Sequence, residues 1–151
     1  MEQTEKKTIE RIGIDFYPAC TVLFGGQCQF ADSCLKQQSE GNREAFALFV
    51  NGVIVSECHL VYDNSEYGTV PGRRVYLSRM VTRKEYRRKG YGMAAAQYVL
   101  ELAKEKGYAE IALGVNCDNT AALALYQKLG FTVYETAEDD YGKFYRMEKT
   151  L

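Results

Sequence analysis

The chain has 151 residues, 46% of them hydrophobic and 26% charged, which is typical of one globular domain, expected over residues 1–151. Its net charge of −1 at pH 7 argues against a general nucleic-acid binder, because such proteins are markedly basic. The N-terminal residues are charged and contain no apolar run, so no signal peptide, membrane span or membrane partner is expected.

Cysteine and histidine content bears on location and on metal binding. The five cysteines are an odd number without a C-x-x-C pair, so we expect reduced thiols in a cytoplasmic protein. The single histidine, His59, lies in a β-rich run, where a structural role is favoured over a catalytic one. With so few candidate ligands, a metal site is not expected.

The first half of the chain reads mainly as strands. Before residue 43 the signals are weak, with a strand predicted over 8–16 and a helix over 29–38. Two β-rich runs at 45–50 and 53–62 then flank Asn51-Gly52, the strongest short signal for a hairpin. After a polar, glycine-containing loop, a third strand is predicted over 74–82.

The second half alternates helices and strands, which predicts a mixed α/β fold. A helix is predicted over 93–106 and ends before Gly107; its apolar stripe is formed by Ala96, Val99, Leu100 and Ala103. A second helix is predicted over 120–129, with Asn119 as its N-cap. Further strands are predicted at 111–115, 131–134 and 144–149.

A basic, glycine-containing loop precedes the helix at 93–106. It reads Arg87-Arg88-Lys89-Gly90-Tyr91-Gly92. Glycines let the backbone turn tightly and approach a ligand closely, and the following helix presents unpaired N–H groups and a partial positive charge. A solvated basic loop is the simpler interpretation, but glycines placed directly after the cations favour a phosphate site, and so a small molecule that carries a diphosphate.

This loop resembles the acyl-CoA-binding motif Q/R-x-x-G-x-G/A of the GNAT superfamily of N-acetyltransferases. A second segment, 119–131, is similar to the family's N-x-x-A-x-x-L-Y-x-K-x-G-F pattern. The resemblance covers roughly residues 45–149 and implies the GNAT fold, a twisted mixed β-sheet with helices on both faces. It also implies transfer of an acetyl group from acetyl-CoA, as co-substrate, to a primary amine by direct attack in a ternary complex.

The resemblance also implies which residues hold acetyl-CoA. The loop and helix start would bind the diphosphate through Arg87, Arg88, Lys89, Gly90, Tyr91, Gly92 and Met93. The main chain of Met80, Val81 and Thr82 would pair with the extended arm of CoA in the manner of an added strand. Asn119 would contact the same arm, although an N-cap role alone explains an asparagine at that position.

Tyr126 is the one catalytic residue that the resemblance implies, as the acid that protonates the departing thiolate. The alternative is a packed core tyrosine, because Tyr126 lies on the apolar stripe of its helix. The general base is not identified. Many family members carry a glutamate on or near the strand before the loop, whereas residues 75–80 here contain no carboxylate. Glu57 and His59 on the preceding strand are candidate substitutes, and both could equally face solvent.

Two other functions are compatible with parts of the sequence. Residues 90–95 satisfy the dinucleotide fingerprint G-x-G-x-x-A, but a basic segment separates it from the preceding strand, which argues against a Rossmann site. A CoA-binding sensor or regulatory module without catalysis stays open because the strand carboxylate is missing. The sequence identifies neither the amine acceptor, which could be a small molecule or a protein amine, nor the oligomeric state; a homodimer stays open.

Overall fold

Seven β-strands form a single sheet in the computed structural model, which describes residues 5–13 and 31–151. The strands are β1 (Lys7–Ile12), β2 (Arg43–Val50), β3 (Val53–Val61), β4 (Arg74–Thr82), β5 (Glu110–Asn116), β6 (Thr132–Asp139) and β7 (Gly142–Thr150). Three α-helices, α1 (Ala31–Ser39), α2 (Tyr91–Glu105) and α3 (Thr120–Lys128), and two 3-10 turns, Ser65–Tyr67 and Lys84–Tyr86, complete the described elements. The parts of the predicted strand and helix that fall on 14–30 lie outside the described residues.

The strands follow the order β1-β2-β3-β4-β5-β7-β6 across the sheet. Each described pair of neighbours is antiparallel except β4 and β5, which are parallel, so the sheet is mixed as predicted. None of the described helices is both long and apolar enough to cross a membrane.

The β2–β3 hairpin confirms the prediction made from Asn51-Gly52. Asn51 has φ 51° and Gly52 φ 82°, so both turn residues are left-handed. A two-residue hairpin turn of type I′ requires this conformation, and asparagine and glycine adopt it most readily.

Helices cover both faces of the sheet, as the fold prediction requires. On β2, Phe46 and Leu48 belong to the large core that also contains the inner face of α2. Ala45 and Ala47 point to the opposite face and pack with Ile12 in a second, smaller cluster. Helix α1 lies on that side, where its Gln38 side chain donates to the main-chain carbonyl of Ile12 at 2.7 Å. Side chains that alternate along β2 therefore belong to two separate hydrophobic cores, one on each face of the sheet.

Helix α2 begins at Tyr91, two residues before the predicted start at 93. The prediction treated Gly92 as part of the loop. In the fold Gly92 lies in the first helical turn, and Gly90, with φ 83°, is the N-cap. The predicted stripe of Ala96, Val99, Leu100 and Ala103 is buried in the large core, and Gly107, just past the helix, has φ 92°.

The β6–β7 hairpin is longer than the sequence predicted. β6 lies at the edge of the sheet and seven of its eight residues are exposed. A strand without a buried face carries little hydrophobic alternation, so the sequence pattern indicated only its first residues.

The face of the sheet beneath α1 contains a buried polar cluster. Glu57 and His59 are both 0% exposed, and Arg43 is 3% exposed. Arg43 Nη1 lies 2.9 Å from His59 Nδ1, while His59 Nε2 contacts Glu57 Oε1. An arginine can only donate, so Nδ1 accepts and the proton of the neutral ring lies on Nε2. Burial lowers the pKa of His59, and the Glu57 carboxylate only partly opposes this shift.

Because His59 is the only histidine, its burial predicts how stability depends on pH. In the unfolded chain it gains a proton below about pH 6.5, whereas the folded protein keeps it neutral. The free energy of unfolding should therefore fall as pH decreases from about 6.5 toward 5, by at most about 1.4 kcal/mol per pH unit. Chemical denaturation at several pH values measures this slope.

The His59→Gln variant is the control for this dependence. Glutamine can still accept from Arg43 and donate to Glu57, but it does not titrate. Its free energy of unfolding should be nearly constant over the same pH range. Equal slopes in the variant and the wild type would show that His59 does not cause the effect.

Candidate functional site

The site is a cavity of about 650 Å³ at the place where β4 and β5 separate. The two strands pair only at Arg74–Glu110, Val75–Ile111 and Tyr76–Ala112. Beyond these pairs no strand of the described part of the chain bridges the gap. The cavity is lined from both strands, from α3 and from the β6–β7 hairpin. The parting of two parallel strands thus produces a cleft that reaches into the sheet.

The cavity is lined from both faces of the sheet. Tyr145 and Met147 on β7 pack with the core under α2, so Phe144 and Arg146, which alternate with them, point to the other face. Both of these line the cavity, as does Tyr126, which belongs to the core on the α2 side. Ligand groups could therefore enter from opposite faces and meet inside the sheet.

The basic glycine loop lies at the end of β4 next to this cavity. Arg88 and Gly90 are left-handed, with φ 65° and 83°. Gly90 caps α2 without any side-chain hydrogen bond, and the first helical bond at this end is donated by Ala94 N–H to the Gly90 carbonyl. Among the described residues, none of the N–H groups of 88–93 has a protein acceptor. The start of α2 thus presents main-chain N–H donors that have no protein acceptor among the described residues.

Cations surround these donors. Arg87, Arg88 and Lys89 are all exposed. The Arg87 Nε donates to the main-chain carbonyl of Thr82 at 3.1 Å, which ties the loop to the end of β4. Tyr91, in contrast, is only 7% exposed and its hydroxyl contacts Glu5, so its side chain serves the core while its N–H belongs to the loop.

Gly92 allows α2 to approach β4 closely. A Cβ at this position would lie 3.2 Å from Met80 Cε and 3.2 Å from Thr82 Oγ1, closer than side chains normally pack. The glycine therefore keeps the N–H donors of the helix beside the last residues of β4.

The last residues of β4 present main-chain groups to the cavity side. Arg83 N–H donates to the Val55 carbonyl on β3 at 2.8 Å. Successive residues of a strand direct their main-chain groups to alternate sides, so those of Thr82 and Met80 point away from β3. The Val81 carbonyl accepts from Ser56 Oγ at 2.9 Å and is engaged within the sheet.

Tyr126 is 6% exposed and lines the cavity. Within the part of the chain that the structure describes, its hydroxyl forms no hydrogen bond, while its ring meets Phe131 edge-on at 5.9 Å. Burial raises the pKa of Tyr126 well above that of an ordinary tyrosine. The phenol is thus packed as predicted for a core residue, yet its hydroxyl is a protonated donor beside the cavity.

Asn119, directly before α3, lines the cavity together with Tyr126 of that helix. Its side-chain oxygen accepts from the Ala122 N–H at 3.2 Å, which confirms that it is the N-cap of α3. The contact with a bound ligand stays a prediction.

The opposite side of the cavity is aromatic and was not predicted from the sequence. Tyr67 of the 3-10 turn stacks on Tyr76 of β4, with ring centroids 4.5 Å apart. Arg146 Nη1 donates to the Glu66 carbonyl at 3.3 Å and so holds this turn over β7. Burial raises the pKa of Tyr76 to about 12, so its hydroxyl is also protonated at neutral pH. Strand alternation alone could have placed Tyr76 on this face, but not beside Tyr67.

The prediction that Glu57 and His59 could face solvent is wrong, because both are fully buried beneath α1. Neither side chain lines the cavity. Of the residues that the structure describes, Glu66, Glu138 and Asp139 contribute carboxylates to the lining, and all three are exposed. Among the described residues, no three His, Cys, Asp or Glu side chains are grouped so as to hold a metal ion.

Comparison with known proteins identifies the family of this chain. The model of the Acetyltransferase (GNAT) family matches residues 13–131. "N-alpha-acetyltransferase 30" of Schizosaccharomyces pombe is 37% identical over 62 residues, which cover 41% of this chain and 41% of that protein. "Probable N-acetyltransferase san" of Drosophila melanogaster is 27% identical over 118 residues, 74% of this chain and 62% of that protein. The matches span less than two thirds of each of these relatives.

Solved structures share the fold over nearly the whole chain. The ribosomal-protein-S18-alanine N-acetyltransferase from Escherichia coli superposes with a TM-score of 0.80 at 21% identity, over 96% of this chain and 94% of that one. The structure of yncA from Salmonella typhimurium with its cofactor acetyl-CoA gives a TM-score of 0.76 at 19% identity, with coverage of 96% and 94%. At these identities the likeness concerns the fold.

Proposed function

The chain belongs to the GNAT acetyltransferase family, and from that premise we propose that it transfers an acetyl group from acetyl-CoA to a primary amine within a ternary complex. The observation that carries the proposal is the cavity between β4 and β5, which has N–H donors without acceptors beside it and a buried phenol in its wall. Acetyl-CoA would supply an activated thioester; the protein residues bind it, orient it and provide a proton.

The diphosphate of acetyl-CoA would bind at the start of α2. The first N–H groups of α2 lack protein acceptors among the described residues and carry the partial positive charge of a helix start, which favours phosphate oxygens. Arg88 and Lys89 would add charge at the rim, while Arg87, bonded to Thr82, would position the loop. Gly90 supplies the left-handed turn and Gly92 the close approach, so a diphosphate fits this loop.

The extended arm of acetyl-CoA would run along the free edge of β4. Main-chain groups of Met80 and Thr82 point toward this edge, because Arg83 is bonded to β3. We propose that they pair with the amides of the arm as a neighbouring strand would. The Val81 carbonyl would not contact the arm, because it already accepts a hydrogen bond from Ser56. Val81 would only link Met80 to Thr82 in the strand. Asn119 would lie beside the arm from the α3 side.

Tyr126 would act as the acid in the transfer step. The amine nitrogen forms a bond to the carbonyl carbon, the carbon–sulfur bond breaks, and its electron pair stays on sulfur. The Tyr126 hydroxyl would give its proton to that sulfur, the nitrogen of the new amide would release its extra proton to water, and water would return this proton to the phenolate. The phenol carries its proton at neutral pH, as any tyrosine does, and within the described residues its hydroxyl has no hydrogen-bond acceptor, so it is free to donate toward the sulfur.

The amine acceptor would enter from the aromatic side, past Tyr67 and Tyr76. An amine with a pKa near 10 must lose a proton before it can attack. Glu66, Glu138 and Asp139 are the carboxylates at the rim, and we assign the base role to none of them. Among the proteins named above, only the Escherichia coli enzyme has an acceptor in its name, the alanine of ribosomal protein S18, and at 21% identity that acceptor is not carried over to this chain.

A CoA-binding module without catalysis is the second candidate, because β4 carries no carboxylate that lines the cavity. Release of free CoA from acetyl-CoA in the presence of a broad panel of amines separates the two functions. Tight acetyl-CoA binding without amine-dependent CoA release would favour the module.

With either function, acetyl-CoA should raise the melting temperature of the protein and NADH should not. A ligand that binds the folded state stabilises it, and we expect only acetyl-CoA to bind.

The loop assignment predicts that Gly90→Val removes acetyl-CoA binding. A β-branched residue does not adopt φ 83° without strain, so the loop should change its shape. Gly107→Val is the matched control, since Gly107 lies past the other end of α2, has φ 92° and, like Gly90, has open space around it. Both variants should lose stability, but calorimetry should detect acetyl-CoA binding only in Gly107→Val. Unchanged affinity in folded Gly90→Val would contradict the assignment.

The acid role predicts that Tyr126→Phe lowers kcat by about 10- to 10⁴-fold. KM for acetyl-CoA should change little, because the contact strengthens only as charge develops on sulfur. The melting temperature should also change little, since the hydroxyl makes no hydrogen bond within the described residues. Tyr108→Phe is the control, because Tyr108 lies outside the cavity and stacks on Tyr62. If Tyr126→Phe keeps full kcat with chemistry rate-limiting, Tyr126 has no part in the reaction.

A further inference from the structure

A one-residue bulge interrupts β4 inside the cavity. His59 pairs with Ser78 and Glu57 pairs with Val81, so Arg79 and Met80 lie opposite one residue of β3. Arg79 has φ 54°, a left-handed conformation that costs energy for any residue with a Cβ other than asparagine or aspartate. Something in the surrounding structure must therefore hold Arg79 in this conformation.

The bulge decides which residues of β4 face the free edge. Without the extra residue, Met80 would occupy the place of Val81 opposite Glu57 and would turn its main-chain groups to β3. With the bulge, the groups of Met80 and Thr82 point away from β3, as the bond between Arg83 and Val55 indicates. The edge that would receive acetyl-CoA thus depends on the conformation of Arg79.

The Arg79 side chain extends from the cavity wall into the buried polar cluster. Its Nε lies 4.0 Å from Glu57 Oε1, and its Nη1 lies 3.4 Å from Cys34 Sγ of α1. The side chain is 9% exposed and that of Glu57 is 0% exposed. A buried carboxylate requires a compensating charge, so the attraction between these two groups opposes any conformation that separates them.

Glu57 is in turn fixed by the rest of the cluster. The neutral His59 ring donates to Glu57 and accepts from Arg43 Nη1 at 2.9 Å. Arg43 Nη1 also donates to Ser78 Oγ at 3.1 Å, directly before the bulge. The carboxylate therefore has a set position relative to β2, β3 and β4, and it can act as an anchor for Arg79.

We propose that Glu57 and Arg79 are positioning residues: their ion pair holds the left-handed bulge of β4 and thereby turns the main chain of Met80 and Thr82 toward the pantetheine arm of acetyl-CoA. Neither residue takes part in proton transfer in this role. The proposal rests on the proposed function, because it needs acetyl-CoA to bind along β4.

Two ligands separate this role from a general loss of structure. Acetyl-CoA would contact both the loop and the edge of β4, whereas 3′-phospho-ADP, the CoA fragment without the pantetheine arm, would contact only the loop. In Glu57→Gln the dissociation constant of acetyl-CoA should rise by about 10- to 100-fold, the effect of a small misplacement in a binding site. The dissociation constant of 3′-phospho-ADP should be unchanged. Isothermal titration calorimetry measures both.

Substitutions at Arg79 test the bulge itself and still decide the proposal if Glu57→Gln does not fold. Arg79→Gly removes the ion pair, but glycine adopts φ 54° without strain and should keep the bulge. Arg79→Ala removes the pair and retains the strain. Affinity for acetyl-CoA should therefore decrease from wild type to Arg79→Gly to Arg79→Ala, with the affinity for 3′-phospho-ADP constant.

Four results would overturn the proposal, and they can be told apart. Wild-type affinity for acetyl-CoA in folded Glu57→Gln or Arg79→Ala would show that the ion pair does not position β4. A parallel loss of both ligands would show that the pair only stabilises the fold. If the wild type binds 3′-phospho-ADP and acetyl-CoA equally well, β4 does not receive the arm; if it binds neither ligand, the proposed function fails as well.

Discussion

The separation of β4 from β5 is the constraint on which the site depends. Two parallel strands that pair at three positions and then part leave an opening in the sheet that no other strand within residues 5–13 and 31–151 closes. Inside the opening, main-chain groups of β4 are available for a ligand, and the phenol of Tyr126 is buried yet accessible to the cavity. A continuous sheet of the same strand order would have neither feature, because β5 would occupy the edge of β4.

Charge is arranged differently on the two sides of this opening. On the loop side, the cations from Arg87 to Lys89 are exposed and lie beside N–H groups without acceptors, so their charge is available to an anion. On the α1 side, Arg43 is buried and the Arg79 side chain is only 9% exposed, and both are compensated by Glu57 and its partners. Under the two proposals, arginine would bind a ligand where it is hydrated and would fix strand geometry where it is not, because desolvated charges require fixed partners.

Local signals in the sequence predicted the parts of the fold that local physics controls. Asn51-Gly52 predicted the hairpin because its left-handed turn excludes most other residues, and Gly107 predicted the end of α2 for the same reason. The basic glycine loop and the N-cap at Asn119 could also be predicted, since each depends on a few consecutive residues. Strands are predicted from the alternation of buried and exposed residues. The edge strand β6 is almost entirely exposed and lacks this alternation, so its predicted bounds were too short.

By itself the sequence determined the mixed α/β class, the loop at the start of α2 and the resemblance that pointed to Tyr126. Only the tertiary structure decided that Glu57 and His59 are buried, that Tyr67 stacks on Tyr76, and that Arg79 is left-handed in a bulge. These features arise between segments far apart in the chain, where pairing register and packing set the distances. A periodic pattern specifies which face a residue occupies, but it does not specify its neighbours on that face.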